Sequence, residues 1–297
     1  MHGELNVLMT GDEGFVGAAT KRILEIKMDA GQIKGKVIGY DIINGFDFTD
    51  PEQLESVIVE EEPNRILHLG AVAHFGEADT DPIRAFETNA LGTLNIAELA
   101  DKYHIPLVYA STGSVYMPIS RTPPITEDFP IIGNSNYGCS KALGERYVKS
   151  FKTNPHIILR YAHLYGKGKR QHGLVAGAIE RIKRGAEPRL YGGAQSNDFT
   201  YIDDVVQANY LALKAAPFAW HQAYNIGTGE EITTEDAMNE ICRVTGYKGG
   251  IKKEEVRTVD ANRFVFDISK AQNMLGYKPQ YTFHEGLERM FGHPEGS

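Results

Sequence analysis

A doubly wound α/β fold, with a parallel sheet and a smaller C-terminal α/β lobe, is the class this chain predicts, and three observations carry the prediction. Through about residue 160, short apolar runs alternate with amphipathic stretches, which is the pattern of buried parallel strands joined by crossover helices. Near the start, Leu5-Asn6-Val7-Leu8-Met9 leads through a glycine-bearing turn into a helix-like stretch at 18–26. Further on, Tyr109-Ala110-Ser111-Thr112-Gly113-Ser114-Val115-Tyr116 places hydroxyls just after an apolar segment at 105–108. The carboxyl end of a strand is where open parallel sheets receive their ligands.

Taken in order, the first element is strand, glycine turn and helix. The turn Thr10-Gly11-Asp12-Glu13-Gly14-Phe15-Val16-Gly17 permits close backbone approach, and the free amides and positive end of the following helix attract a pyrophosphate. Asp12 and Glu13 bring negative charge to that loop, so both side chains are expected to point outward. The next strand, Lys36-Val37-Ile38-Gly39-Tyr40, ends on Asp41. A carboxylate there accepts both hydrogen bonds of an adenosine ribose diol and repels a 2′-phosphate. With no arginine or lysine close behind it, the site predicts NAD over NADP.

The run 66–69 reads as a strand, and Asp81-Pro82 starts a helix, because an aspartate cap and a proline at the first turn satisfy end amides without losing a bond. Asn89 falls inside that helix and is a poor helix former; it either bonds neighbouring backbone or is simply solvated. The runs 105–109 and 157–160 are further strands. Between them, Tyr137-Gly138-Cys139-Ser140-Lys141 puts a phenol and an ammonium on one helical face. A lysine beside a phenol favours the phenolate and makes it a usable acid or base near neutral pH. After Gly166 the chain is richer in glycine and loops, with helices expected at 174–184, 236–245 (capped near Thr233-Thr234) and 269–275.

At 297 residues with 42% hydrophobic content, the chain can bury a large core. A net charge of −8 leaves no basic footprint for nucleic acid. The two cysteines, Cys139 and Cys242, show no metal spacing and fit a reducing interior. No apolar run approaches the ~18 residues that cross a bilayer, and Met1-His2-Gly3-Glu4 lacks signal-peptide character, so no membrane association and a cytoplasmic location are expected.

Together these motifs resemble the extended short-chain dehydrogenase/reductase family, in its branch of nucleotide-sugar epimerases and dehydratases. The resemblance runs nearly end to end: the glycine loop, His68-Leu69-Gly70-Ala71, Asn89, the Thr112 segment, Tyr137 with Lys141, Arg160-Tyr161-Ala162-His163, Asp198-Phe199-Thr200-Tyr201, Tyr224-Asn225-Ile226-Gly227, and Asp267-Ile268-Ser269-Lys270. It implies a Rossmann-type NAD domain at 1–162 plus about 198–222, and a substrate lobe at about 163–197 and 223–297. By the same resemblance Tyr137 is the acid/base, Lys141 lowers its pKa and bonds the nicotinamide ribose, and Thr112 bonds the sugar hydroxyl being oxidised. Gly11, Gly14, Phe15, Val16, Gly17, Leu69 and Ala71 line the cofactor, while Asp47 and Phe48, after a short third strand, contact adenine.

Arg257 matches an arginine that clamps the substrate diphosphate, or is a surface arginine in a charged stretch. Two positions depart from the family pattern. His163 stands where asparagine is usual and Asn197 where arginine is usual, and an amide in place of a guanidinium gives up a charge-assisted bond of about 1.5–3 kcal/mol to phosphate. His163 is either a substrate contact or a structural histidine. Tyr191 and Arg189 line the nucleotide or belong to an ordinary strand, and Gln171 and His172 are loop residues of the same region. The helical stretches 84–102 and 137–152 resemble those that pair across a homodimer. With Gly113 and Ser114 where dehydratases carry an acidic pair, the expected reaction is NAD-dependent 4-epimerisation of a nucleoside diphosphate hexose. A keto-sugar reductase, dehydrogenase or dehydratase is the alternative, and a non-catalytic dinucleotide sensor a distant third.

Overall fold

The computed structural model describes residues 4–117, 122–168, 173–255 and 263–291. The first half runs β1 (Leu5–Thr10), α1 (Phe15–Asp29), β2 (Gly35–Tyr40), α2 (Pro51–Glu61), β3 (Arg65–His68), α3 (Phe75–Thr80), α4 (Pro82–Phe86), α5 (Gly92–Lys102), β4 (Leu107–Thr112), α6 (Asn136–Ser150) and β5 (His156–Tyr161). The second half runs β6 (His163–Tyr165), α7 (Gly173–Lys183), β7 (Arg189–Tyr191), β8 (Ser196–Asn197), β9 (Phe199–Tyr201), α8 (Ile202–Leu213), β10 (Gln222–Ile226), β11 (Ile232–Thr233), α9 (Thr234–Thr245), β12 (Lys252–Glu254), α10 (Ser269–Leu275) and α11 (Phe283–Phe291). Helix starts follow their local chemistry: Asp81 accepts from Arg84 N at 3.0 Å with Pro82 behind it, and Thr233 accepts from Asp236 N at 3.0 Å.

Six strands form one parallel sheet in the order β10-β5-β4-β3-β1-β2. Thr10 pairs with Tyr40 on one side and with His68 on the other, so the chain winds outward in both directions from β1 and β3 and leaves a crevice at their carboxyl ends. Adjacent strand residues serve opposite faces. Ile66 belongs to the apolar layer under α2, α5 and α6, and Leu67 to the layer under α1 and α8; both are fully buried, and each such side chain stabilises by roughly 1.5–3 kcal/mol. The smaller lobe is built from two-stranded pairings: β6 with β9, β7 with β12, and β8 with β11.

Two expectations are corrected. The short third strand does not form; Ile42–Asn44 is a turn of 3₁₀ helix, because Asp41 Oδ1 accepts Ile43 N at 3.0 Å and Gly45 turns left-handed at φ 83°. The strand carrying His68 is therefore third in the chain rather than fourth. The large sheet also extends to Ile226, past the expected boundary near 222, because β10 pairs along its length with β5. Among the described residues no helix is long and apolar enough to cross a membrane.

Candidate active site

At the crevice lies a cleft of about 1300 Å³ that continues from the strand ends into the smaller lobe. Its floor is set where the loop after β1 meets the segment after β3. Gly11 has φ +69°, and a side chain there would come within 2.7 Å of Gly70, so only glycine lets the two loops touch. Gly14 caps α1 in extended conformation without a side-chain bond, leaving the first amides of the helix turned to the cleft beside Phe15, Val16 and Gly17.

The two acids of this loop part ways. Glu13 points outward as expected, but Asp12 is buried: its carboxylate lies against Gly39 of β2 and is neutralised by Lys21 Nζ at 2.6 Å. Its charge is thereby kept out of the phosphate loop without leaving the protein. Asp41, at the end of β2, faces the cleft; its Oδ2 accepts Glu13 N at 3.2 Å, and both oxygens keep capacity for further donors. Asp47 lines the same end but commits Oδ1 to Thr49 N and Oγ1, at 2.9 and 2.7 Å. Phe48 packs its ring against Gly70 and Gly92, and Leu69 and Ala71 continue the wall.

Tyr137 and Lys141 enter from α6, whose first turn is capped by Ser135 accepting Gly138 N at 3.0 Å. Tyr137 stands edge-on to Phe75, with ring centroids 5.4 Å apart. Burial pushes its phenol up to about 12, with a hydrogen bond from Thr112 opposing the rise. The lowering expected from Lys141 does not prevail among the protein's own groups, because both side chains are desolvated and Lys141 itself is pushed down to about 7 by burial, with Glu145 opposing. The Lys141 ammonium rests over the ring of Tyr109, 4.2 Å from its centroid. Thr112, at the end of β4, turns the chain by accepting Ser114 N at 3.2 Å. Gly113 has no room for any side chain, since Phe264 and Phe266 occupy the space a Cβ would need.

Asn89 bonds backbone: its Oδ1 accepts Val72 N at 2.8 Å, and its Nδ2 donates to Val72 O and to Ser140 Oγ, both at 2.9 Å. The segment after β3 is thus tied to α6 within the turn that carries Tyr137 and Lys141, and the helix widens into a π turn, Glu87–Leu91, at this point. From the smaller lobe, His163, Tyr191 and Asn197 line the cleft, with the His163 ring edge-on to Phe264 at 5.1 Å. The Arg189 side chain bonds Tyr191 of the cleft wall, with Glu254 3.8 Å off. Arg257, Gln171 and His172 lie outside the described residues.

Sequence reasoning missed several groups. His74 and Phe75, which follow β3, line the cleft, and the strand-end rule that singled out Thr112 would also have found them. Phe264 gave no local signal. Nor did the buried pair beneath α6: Arg160 Nε and Nη2 grip Glu145 at 2.8 and 2.7 Å, and Ser111 Oγ adds a third bond at 2.7 Å. Burial pushes the Glu145 carboxyl up, but its Arg160, Lys149 and Ser111 partners overrule this and hold it below the usual range.

The sequence model of the NAD dependent epimerase/dehydratase family matches residues 7–227. A putative UDP-glucose 4-epimerase of Methanocaldococcus jannaschii is 30% identical, over 96% of each chain. Among solved structures, the UDP-glucose 4-epimerase of Thermotoga maritima with UDP-glucose superposes with a TM-score of 0.87 at 28% identity, covering 97% of both chains. The Thermus thermophilus UDP-glucose 4-epimerase in complex with NAD gives 0.81 at 29% identity, again over 97% of both.

Proposed function

The chain belongs to the NAD-dependent epimerase/dehydratase family, and from that premise we propose that it inverts carbon 4 of a nucleoside diphosphate hexose through a transient 4-keto sugar. The observation that carries this reading is one cleft in which Tyr137, Lys141 and Thr112 adjoin a loop and acid suited to a dinucleotide. The residues fit NAD. The amides after Gly14 receive the pyrophosphate, Asp41 the adenosine ribose diol, and Phe48 and Asp47 border the adenine. Leu69 and Ala71 flank the chain of the cofactor, and Lys141 bonds the second ribose. When bound, NAD supplies a reversible two-electron acceptor whose positive ring also favours a phenolate nearby.

Tyr137 takes the proton of the C4 hydroxyl and returns it to the same oxygen after the sugar has presented its other face. Thr112 holds that oxygen in line, and the Lys141 ammonium stabilises the phenolate. Elimination of water by an acidic pair next to Thr112 is disfavoured, because Phe264 leaves no space for a side chain at Gly113 and Ser114 carries no carboxylate. His163, which lines the cleft with Tyr191, serves the diphosphate in place of the guanidinium that Asn197 lacks, and Arg257 is assigned the same role on its sequence match alone. The segments 163–197 and those beyond β10 form the lobe over the sugar.

The test is a panel of UDP, GDP, CDP and dTDP hexoses with product stereochemistry resolved. Epimer interconversion without net absorbance change at 340 nm is expected, and a stoichiometric redox change replaces the epimerase with a reductase or dehydrogenase. Tyr137→Phe is expected to cut turnover by about 10²- to 10⁴-fold while NAD still binds; retained activity removes Tyr137 from its role.

A homodimer belongs to the same proposal. Ile83, Phe86, Leu91 and Leu143 are large apolar side chains left exposed on α4, the π turn and α6, elements that pack on one another. Such a patch gains by being covered, and a second copy of the same helices covers it with like chemistry.

A further inference from the structure

A column of side chains runs from the adenosine end of the cleft to Lys141. Phe48 meets His68 edge-on at 5.0 Å, His68 stacks with Tyr109 at 5.6 Å and 28°, and the Lys141 ammonium lies over the Tyr109 ring. His68 and Tyr109 are register partners on β3 and β4. All but Phe48 are nearly or fully removed from solvent, with Lys141 only 2% exposed.

We propose that Tyr109 is a positioning residue for Lys141, its ring face holding the buried ammonium at the place from which it serves Tyr137, with a neutral His68 stacked alongside so that no second cation competes for that seat. The proposal rests on the assignment of Tyr137 and Lys141 to the reaction. A desolvated ammonium over an aromatic face is attracted by the ring quadrupole, and here the ring is the partner that the fold supplies. The closeness of α6 to β4 depends on Gly144: a side chain there would strike the Tyr109 hydroxyl and crowd the Asn89 carbonyl, forcing the helix and its lysine outward.

The protonation state of His68 follows from a directed hydrogen-bond chain. Gly70 N donates to Thr10 Oγ1 at 3.1 Å, so the Thr10 hydroxyl hydrogen is free to point at His68 Nδ1, 2.6 Å away. At the other ring nitrogen, Thr93 Oγ1 donates to Asn89 O at 2.7 Å and is left to accept from His68 Nε2 at 3.0 Å. The network therefore places a proton on Nε2 and suits a bare Nδ1 that accepts from Thr10. Burial and the nearby Lys141 charge both hold the imidazole well below its ordinary pKa. Among the described residues the other charged group acting on Lys141 is Glu145 of its own helix, held in turn by Arg160 of β5, and Tyr137 lies one turn earlier on that helix.

The experiment measures the titration of Lys141 directly, by pH-dependent acetylation with acetic anhydride read by peptide mass spectrometry, on the full chain without sugar or added NAD. Tyr109→Phe keeps the ring and is expected to titrate within a few tenths of a pH unit of the natural protein. Tyr109→Leu removes the ring, and the Lys141 pKa is expected to fall by about one unit, seen as about fivefold faster labelling at pH 6. An unchanged or raised pKa in Tyr109→Leu overturns the proposal, and so does a Tyr109→Phe shift as large as that of Tyr109→Leu. Tyr109→Met, closer in length, replaces Tyr109→Leu if the latter does not fold, with the same two outcomes. Because no sugar enters this measurement, its result is independent of the Tyr137→Phe turnover test, and either reading can fail alone.

Discussion

Replacing Arg160 by methionine leaves the Glu145 carboxylate buried beside the candidate site with most of its compensation gone. Arg160 is 1% exposed and supplies two of the bonds to Glu145; it also donates to Tyr116 Oη at 2.6 Å and to Glu127 O at 3.2 Å. What would remain for Glu145 is the Ser111 hydroxyl and Lys149 Nζ at 3.1 Å, the latter on a half-exposed side chain. Breaking a buried pair from one side costs about 3–5 kcal/mol, a large part of the roughly 5–15 kcal/mol that holds a domain folded. Urea unfolding followed by circular dichroism at pH 7 reads that loss, and the double variant Arg160→Met/Glu145→Leu is expected to recover at least ~2 kcal/mol of it. The sign with pH is also fixed. In the natural protein the Glu145 carboxyl is held below its unfolded value, so its contribution is present above the unfolded pKa and fades as pH falls through the folded one. Without Arg160, only Ser111 and Lys149 oppose burial, which then favours the protonated acid, so the destabilisation is expected to shrink between pH 7 and pH 4. A loss under ~1 kcal/mol at pH 7, or one that does not change with pH, refutes the reasoning.

Lys141→Met is expected to abolish turnover yet stabilise the fold at pH 7, because burial holds the lysine at about 7 against its unfolded value. That penalty is present at low pH and relieved as pH rises from about 7 toward 10.5, so the natural protein should gain on the order of 2–4 kcal/mol across that window and the variant should not; equal slopes by thermal melts count against it. Asp41→Ala should shift the preference from NAD toward NADP by about ten- to a hundredfold, on the order of 1–3 kcal/mol, with Glu13 nearby keeping the loop acidic; equilibrium titration with both cofactors checks it. Ile83→Glu should convert a dimer to monomer in sedimentation velocity, and an unchanged sedimentation coefficient removes that face from the proposed interface.

What the sequence by itself determined is whatever depends on residues close along the chain. The strand, glycine turn and helix at the start, the aspartate and threonine caps, and the shared face of Tyr137 and Lys141 all follow from spacing and local backbone chemistry. Alternation of strands and helices then limited the topology to a parallel sheet with a crevice at its carboxyl edge, which is why Gly11, Asp41, Thr112 and Tyr137 could be brought to one place in advance. Only the tertiary structure decided the rest. A single hydrogen bond from Ile43 N to Asp41 and the turn at Gly45 removed the third strand, and Lys21, nine residues further on in α1, drew Asp12 inward. Arg160 on Glu145, Phe264 over Gly113 and Tyr109 under Lys141 join distant parts of the chain. No periodicity encodes such pairings. They arise because packing presses those surfaces together and burial then compels every charge to find a partner or shift its pKa.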